Sequence, residues 1–528
     1  VAVRVANNGQ QFSTAAGAYS YYAPPEVSSI SPNSGPTSGA TVVRITGAQL
    51  AHGAAPYCRF AQAVGACAEG PTAAFDTCSD LVAAERVVVD GLPALECVSP
   101  DGLSEATLAL EVTLNGVPAE WPGAQDFTTS TVLFDAVPPP NIAALSPSCG
   151  PTDGATQVNL TGSELPRGSD LRCRWSRDGT EREDTLPGGE VNASRNGDAG
   201  GSLQCSSPSA AAGTSAVAVS PNAQQFSPHT RDFYFYEPPV VSGSSPTTGP
   251  SAGATVVVVH GSRLKPTTTC DVVCKFGETV VAGVAIDVDG AGAIRCEAPP
   301  SAASSEGALM PLEVSLNRQQ YSTGSATFTR YAARANLTAV LPGSGPTTGG
   351  TDLVVSGELL GGGDDYRCRF SGATGRVTVV ASYNVTDGTV VCTTPDLTAA
   401  GSGDAAVVVW SGTHGAGEYI VSVSLNRQQY FGAIPYRFYT PGAPTTASPA
   451  SGPVRGDTLV TVSGTGLADG TNYTCRYLLA ANLSSENFDL DNYAFSVAQS
   501  NGSVPTMLTP ATYDGGDLKC VSPPAAAA

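Results

Sequence analysis

The fourteen cysteines are the most reactive side chains of this 528-residue chain. A zinc site would draw thiolates from recurring CxxC pairs. No such pairs recur, and the one CxxxC, Cys270–Cys274, shares Cys274 with a different pattern. In that pattern a Cys-(Arg/Lys)-aromatic strand is followed by Cys-x-x-Pro, which couples Cys58 with Cys97, Cys173 with Cys205, Cys274 with Cys296, Cys368 with Cys392 and Cys475 with Cys520. The expected chemistry is oxidation to disulfides, which persist outside the cytosol. Each is expected to add about 3–4 kcal/mol by closing a loop of the unfolded chain. Cys67 and Cys78 lie together in an insertion and are expected to pair. Cys149 and Cys270 remain, in different repeats; a bond between them would join domains or subunits, and free thiols are the alternative.

Other reactive groups are scattered. The four histidines, His52, His229, His260 and His414, fall in different segments, and spacing assembles no Ser/His/Asp set. Gly249-Pro250-Ser251-Ala252-Gly253 matches G-x-S-x-G, but a nucleophile elbow requires a following helix, and β-branched residues follow here. Gly361 to Gly363, with Asp364 and Asp365, reads as a turn. Asp287-Val288-Asp289-Gly290 and Asp489-Leu490-Asp491-Asn492 offer oxygen ligands of the kind Ca²⁺ takes, but lack the remaining positions of an EF-hand loop, so solvated turns are expected. No catalytic or metal residue and no cofactor is assigned, and the chain is not expected to be an enzyme. Seven Asn-x-Ser/Thr acceptors stand at Asn159, Asn192, Asn336, Asn384, Asn472, Asn482 and Asn501. Several are expected to carry glycans, foremost the loop sites Asn192 and Asn482; Asn159, in an expected strand, must point outward.

The elements that position these residues are repeated. One block, Ser-Pro-x-x-Gly-Pro-Thr-x-Gly-(Ala/Gly)-Thr followed by alternating β-branched residues, occurs at 31–50, 146–165 and 245–264, and in looser form at 343–360 and 448–467. The cysteine pattern is the second block. The third runs from an alternating strand into Asn-x-Gln-Gln-aromatic, ending at Phe226, Tyr321 and Tyr430, with a degenerate copy at 114–121. The opening glycines Gly35, Gly150, Gly249, Gly345 and Gly452 set a unit of about 100 residues, the size of a seven-stranded sandwich. Gly-Pro and Pro-Thr-x-Gly supply turns, and the period of two puts one face of each strand on a core. Trp175 fills the aromatic slot taken elsewhere by Phe60, Phe276, Phe370 and Tyr477, and is expected in the core; Trp121 and Trp410 are also read as core or strand residues. Proline runs at 24–25, 138–140 and 238–239 mark stiff joints. The fold class is all-β: tandem Ig-like sandwiches in an extended rod. The domains are 24–137, 138–237, 238–334 and 335–441, with fragments at 1–23 and 442–528.

These blocks resemble the IPT/TIG domain, an Ig-like fold of plexins, transcription-factor dimerisation regions and many surface proteins. The resemblance rests on the P-x-x-G-P-T-x-G-G/A-T opening, the Cys-Arg-Phe strand and Cys-x-x-Pro. Asn8-Gly9-Gln10-Gln11-Phe12 is most similar to versions in very large surface proteins of algae and protists. The transcription-factor branch needs a basic DNA-facing loop. A net charge of −20 with no Lys/Arg cluster speaks against nucleic acid, and no 18-residue apolar run offers a membrane helix.

The two fragments are complementary. Residues 1–23 hold a third block alone, whereas 442–528 hold the first and second without a third. The sequence opens within a block, without leader or initiator Met, as a mature or partial chain does. Either it is a window of a longer repetitive chain, or the head strands of one copy complete the tail sandwich of the next. The expected function is a structural subunit of an extracellular glycoprotein filament, at the cell surface, cilium or cell wall. Its partners are copies of itself, head to tail, and covalent glycans. The alternative is an adhesion ectodomain of a plexin-like receptor.

Overall fold

The computed structural model describes residues 1–62, 82–116, 127–128, 132–165, 167–177, 185–195, 201–265, 270–301, 307–324, 326–333, 335–399, 408–468, 470, 472–478 and 506–524. The chain divides into two compact units. One comprises Val1–Val240, Ser262–Val273 and Val314–Thr323; the other comprises Val241–Gly261, Cys274–Glu313 and Gly324–Ala528. Among the described residues the regular structure is strand, apart from one short 3₁₀ turn at Leu397–Ala399. None of their helices is long and apolar enough to cross a membrane.

In the first unit, residues 138–237 give the plan of the sandwich. One sheet orders Asn141–Ser146, Gln157–Ser163, Ser202–Ser206 and Ser194–Arg195. The other orders Cys149–Pro151, Arg231–Tyr236, Gly213–Ser220, Arg172–Ser176 and Thr185–Asn192. Alternation decides which side chains meet between them: Val158 and Leu160 from one sheet face Val217, Val219, Phe233 and Phe235 from the other, all buried. Trp175 is fully buried and meets Phe233 edge-on, with ring centroids 6.3 Å apart. Cys173 and Cys205 join the two sheets across this core, Cα to Cα 6.4 Å, within the span a disulfide bridges. The corresponding bonds are Cys58–Cys97, Cys274–Cys296, Cys368–Cys392 and Cys475–Cys520. Cys67, Cys78 and Trp121 lie outside the described residues.

The glycines that define the first block are steric requirements. A Cβ on Gly35 would collide with the hydroxyl of Thr41, and one on Gly150 with that of Thr156. Gly39 and Gly154 have φ of 75° and 80° and lie against the backbone at Pro100 and Pro208, so the Cys-x-x-Pro loop packs directly on the opening turn. The residue after each, Ala40 or Ala155, is also left-handed, with φ near 60°. That turns its carbonyl away from its own sandwich.

The second unit repeats the plan in residues 335–441, with Phe370, Tyr436 and Phe438 clustered at its centre. The last sandwich differs. Its described strands, Ala443–Ser448, Leu459–Thr465, Asp517–Val521, Thr506–Asp514 and Thr474–Leu478, leave Thr474–Leu478 at an edge. In 335–441 the matching strand, Arg367–Ser371, is paired there by Gly417–Ser424. In the first unit, residues 1–23 form a hairpin with Ala2 opposite Ala18 and Val3 opposite Gly17.

Candidate functional site: the joints between sandwiches

Three joints are built from the same residues, and each lies within one unit. Asn222 of the second sandwich is buried, and its Oδ1 accepts from the backbone N–H groups of Gln224 and Gln225, both at 3.1 Å. Ala223 between them is left-handed, φ 60°. This local turn aims three amides at the opening turn of the preceding sandwich. Asn222 Nδ2 donates to Ser34 O (3.3 Å) and Thr41 Oγ1 (3.1 Å). Thr41 Oγ1 in turn donates to Gln225 Oε1 (2.9 Å), and Gln225 Nε2 donates to the outward carbonyl of Ala40 (2.6 Å). Gln224 brackets Val42, accepting from its N–H (2.8 Å) and donating to its carbonyl (2.9 Å). The edge of the opening strand thus receives two strand-like hydrogen bonds from a side chain.

Asn317, Gln319 and Gln320 make the same set to Cys149, Ala155, Thr156 and Gln157. Asn426, Gln428 and Gln429 repeat it on Thr248, Ala254, Thr255 and Val256. The position between Asn and Gln is left-handed in these loops too, at Arg318 (65°) and Arg427 (64°). The following aromatic ties the loop to its own domain: Arg174 lies over Phe226 at 4.0 Å and Arg369 over Tyr430 at 3.2 Å. The Arg of Cys-Arg-aromatic and the aromatic after Gln-Gln are therefore one cation–π pair. Arg59 makes the same contact with Phe127, beyond the degenerate copy at 114–121.

A second contact completes each joint, always from four residues before the first core cysteine to the residue before Gly-Pro. At the first joint Ser169 N–H donates to Ser34 Oγ (2.8 Å). At the second the pair is Cys270 and Cys149, joined as an interdomain disulfide with Cα atoms 5.8 Å apart. At the third Asp364 accepts from Thr247 N–H, from Thr247 Oγ1 (2.6 Å) and from Thr248 Oγ1 (2.9 Å). Burial, with Asp364 and Tyr366 adding to it, raises the Tyr331 phenol well above its ordinary pKa at this joint. The glycine-run loop read as a plain turn therefore supplies a joint carboxylate. The two unmatched cysteines occupy a fixed structural position. The signal was present in the sequence: Ser169, Cys270 and Asp364 share one offset from Cys173, Cys274 and Cys368. It was illegible because three unrelated chemistries fill one position.

The remaining candidates do not converge. His52 and His229 are exposed, and His260 is half-buried in the Val256–Ser262 strand. His414 packs against Trp410, 4.9 Å between ring centroids, and burial lowers its pKa. Ser251 is buried in its turn, and its hydroxyl accepts from Ala333 N–H (3.2 Å); the strand Val256–Ser262 follows where an elbow needs a helix. Asp287 Oδ1 caps its own hairpin at Gly290 N–H (2.8 Å); Asp489, Asp491 and Asn492 lie outside the described residues. Among the described residues no three of His, Cys, Asp and Glu gather as a metal site. Of the acceptor asparagines, Asn336 and Asn472 are exposed, while Asn159 and Asn384 are half-buried. Asn192, expected in a loop, instead ends the Thr185–Asn192 strand opposite Arg172, still exposed; the pairing of that edge extends it. Asn482 and Asn501 lie outside the described residues.

Replacing Asn222 by Ala removes the amide that organises the first joint and strips buried partners of their bonds. At about 1 kcal/mol net for each of two or three bonds, exchange of the Val42 amide is expected to accelerate about a hundredfold by mass spectrometry. The Asn317→Ala joint, still held by Cys149–Cys270, should change less.

The fold and its joints define a class: tandem Ig-like β-sandwiches. The IPT/TIG domain model matches residues 239–330 and 335–435, and the chain carries IPT/TIG domains there. Among solved structures, the full extracellular region of plexin A4 is similar at 13% identity and TM-score 0.32, covering 94% of this chain and 42% of that one. Invasin, a bacterial integrin-binding protein, gives 11% identity and TM-score 0.18 with 81% of each chain covered. The N-terminal eight Ig domains of Down Syndrome Cell Adhesion Molecule give 9% and 0.15, covering 96% and 81%. The chain spans less than half of the plexin region it matches.

Proposed function

We propose that this protein is a structural subunit of an extracellular glycoprotein filament, in which the hairpin of residues 1–23 completes the last sandwich of the next copy. One observation carries the reading: the hairpin already has the register of a closing hairpin, with its core-facing side chains in water. Ser13 N–H donates to Val5 O (2.8 Å) as Ser227 N–H does to Val219 O (2.7 Å), which equates Val5 with Val219, Val3 with Val217 and Tyr21 with Phe235. Val5 is 67% exposed against 1% for Val219, and Tyr21 80% against 0% for Phe235.

The last sandwich is open in the complementary sense. Cys475 and Tyr477 are half-buried where Cys368 and Phe370 are sealed, and Leu459, Leu508 and Val521 are exposed. Arg476 is exposed, and Phe12, its counterpart in the repeated cation–π pair, is 62% exposed. An unfilled sandwich edge is an aggregation hazard, and a hairpin of the right register removes it by strand addition. The six disulfides among the described residues support an extracellular site, as do the acceptor asparagines. No catalytic chemistry is needed for this role.

Electron microscopy of the concentrated chain tests the reading: filaments with an axial repeat of a few domains are expected, and a monodisperse monomer at high concentration would refute it. Peptide mass spectrometry of the secreted protein should find added sugar on the exposed acceptors Asn192, Asn336 and Asn472, with less on half-buried Asn159.

A further inference from the structure

The opening turn of residues 344–352 in the fourth sandwich shares the register of the other three, with the Tyr436 hydroxyl beside Gly345 and Thr351 where the others have a phenylalanine ring edge. Asp352 sits opposite Thr393 and Leu353 opposite Cys392, the register that puts Val42 opposite Val98 and Val43 opposite Cys97. Gly350 is left-handed, φ 76°, like the alanines whose carbonyls receive a glutamine. Thr351, however, is only half-buried, whereas Thr41, Thr156 and Thr255 are fully buried beneath their clasps.

The hairpin of residues 1–23 carries the missing half. Asn8 Oδ1 accepts from the N–H groups of Gln10 (3.1 Å) and Gln11 (3.0 Å), and Gly9 is left-handed at 70°. This is the preorganised turn of the other three loops, yet Asn8, Gln10 and Gln11 are exposed, whereas Asn222, Asn317 and Asn426 are buried. We infer that residues 344–352 are a docking site for the Asn8-Gly9-Gln10-Gln11 loop of a second copy of this chain. Asn8 Nδ2 donates to Ser344 O and Thr351 Oγ1, Gln11 Nε2 donates to Gly350 O, and Gln10 brackets the N–H and carbonyl of Asp352. The inference rests on the head-to-tail reading and adds a second, polar contact to it. Because each clasp reaches the sandwich before its own, a hairpin seated in the last sandwich presents its loop to the fourth. Strand addition alone is tolerant of register; a clasp that accepts one loop at one turn fixes it.

Hydrogen exchange of the full chain, dilute and assembled, tests this by mass spectrometry. In both states the Val42, Gln157 and Val256 amides, already clasped, are internal standards. Assembly is expected to slow Asp352 exchange at least tenfold. Gln10→Ala with Gln11→Ala, exposed positions that leave the fold intact, should abolish that slowing and raise the concentration needed for assembly about tenfold. Thr351→Val on the receiving side should weaken assembly in the same direction. Filaments that form with Asp352 unprotected would overturn the clasp and leave strand completion standing. No assembly at any concentration would overturn both.

Discussion

A chain carrying Val3→Asp and Val5→Asp is expected to lose head-to-tail assembly while its four full sandwiches unfold at the same temperature as before. Both valines are exposed in the isolated chain, so nothing in the native core is disturbed. In the completed sandwich they occupy the places of Val217 and Val219, which are fully buried. Burying a valine contributes about 1.5–3 kcal/mol, and a carboxylate in its place must be desolvated without a partner. Losing two such contacts lowers the association constant by at least about a hundredfold, at 1.4 kcal/mol per factor of ten. Sedimentation of the variant and wild type over the same concentration range reads the change directly. Assembly unaltered by both substitutions would mean that the hairpin does not enter a core.

Removing the Cys475–Cys520 bond, by Cys475→Ala with Cys520→Ala, is expected to unfold the last sandwich of the unassembled chain. The same change at Cys368–Cys392 should only destabilise its domain. The first bond closes a separation of 45 residues and the second one of 24, worth about 4 and 3.5 kcal/mol by loop entropy. The larger difference lies in what remains. The fourth sandwich keeps a sealed core around Phe370 and Tyr436, whereas the last exposes Leu459, Leu508 and Val521 and has less apolar burial to set against the entropy of ordering. Limited proteolysis with mass spectrometry should find cuts confined to 442–528. Assembly with wild-type chains should suppress those cuts, because the incoming hairpin supplies the absent burial.

Much of the architecture is legible in local chemistry. Gly35 and Gly39 recur because a side chain at the first meets a threonine hydroxyl and the second is left-handed against the Cys-x-x-Pro loop. Both demands are met within one repeat, so the spacing announces them. The core cysteines and Trp175 follow from the period-two pattern for the same reason. The Asn-x-Gln-Gln motif announces itself as a repeat but not as a contact: its partners lie more than 160 residues away in sequence and are largely backbone atoms, which carry no residue signature.

By itself the sequence determined the all-β sandwich class, the repeated blocks and the core cysteine partners, because turn chemistry and alternation act over a few residues. Only the tertiary structure decided where the polar residues go. It placed Asn222, Asn317 and Asn426 on the preceding sandwich, made one position of Ser169, Cys270 and Asp364, and left Asn8, Gln10 and Gln11 holding the same turn exposed. Those assignments depend on which edges the packed sandwiches present to each other, and no local pattern encodes that.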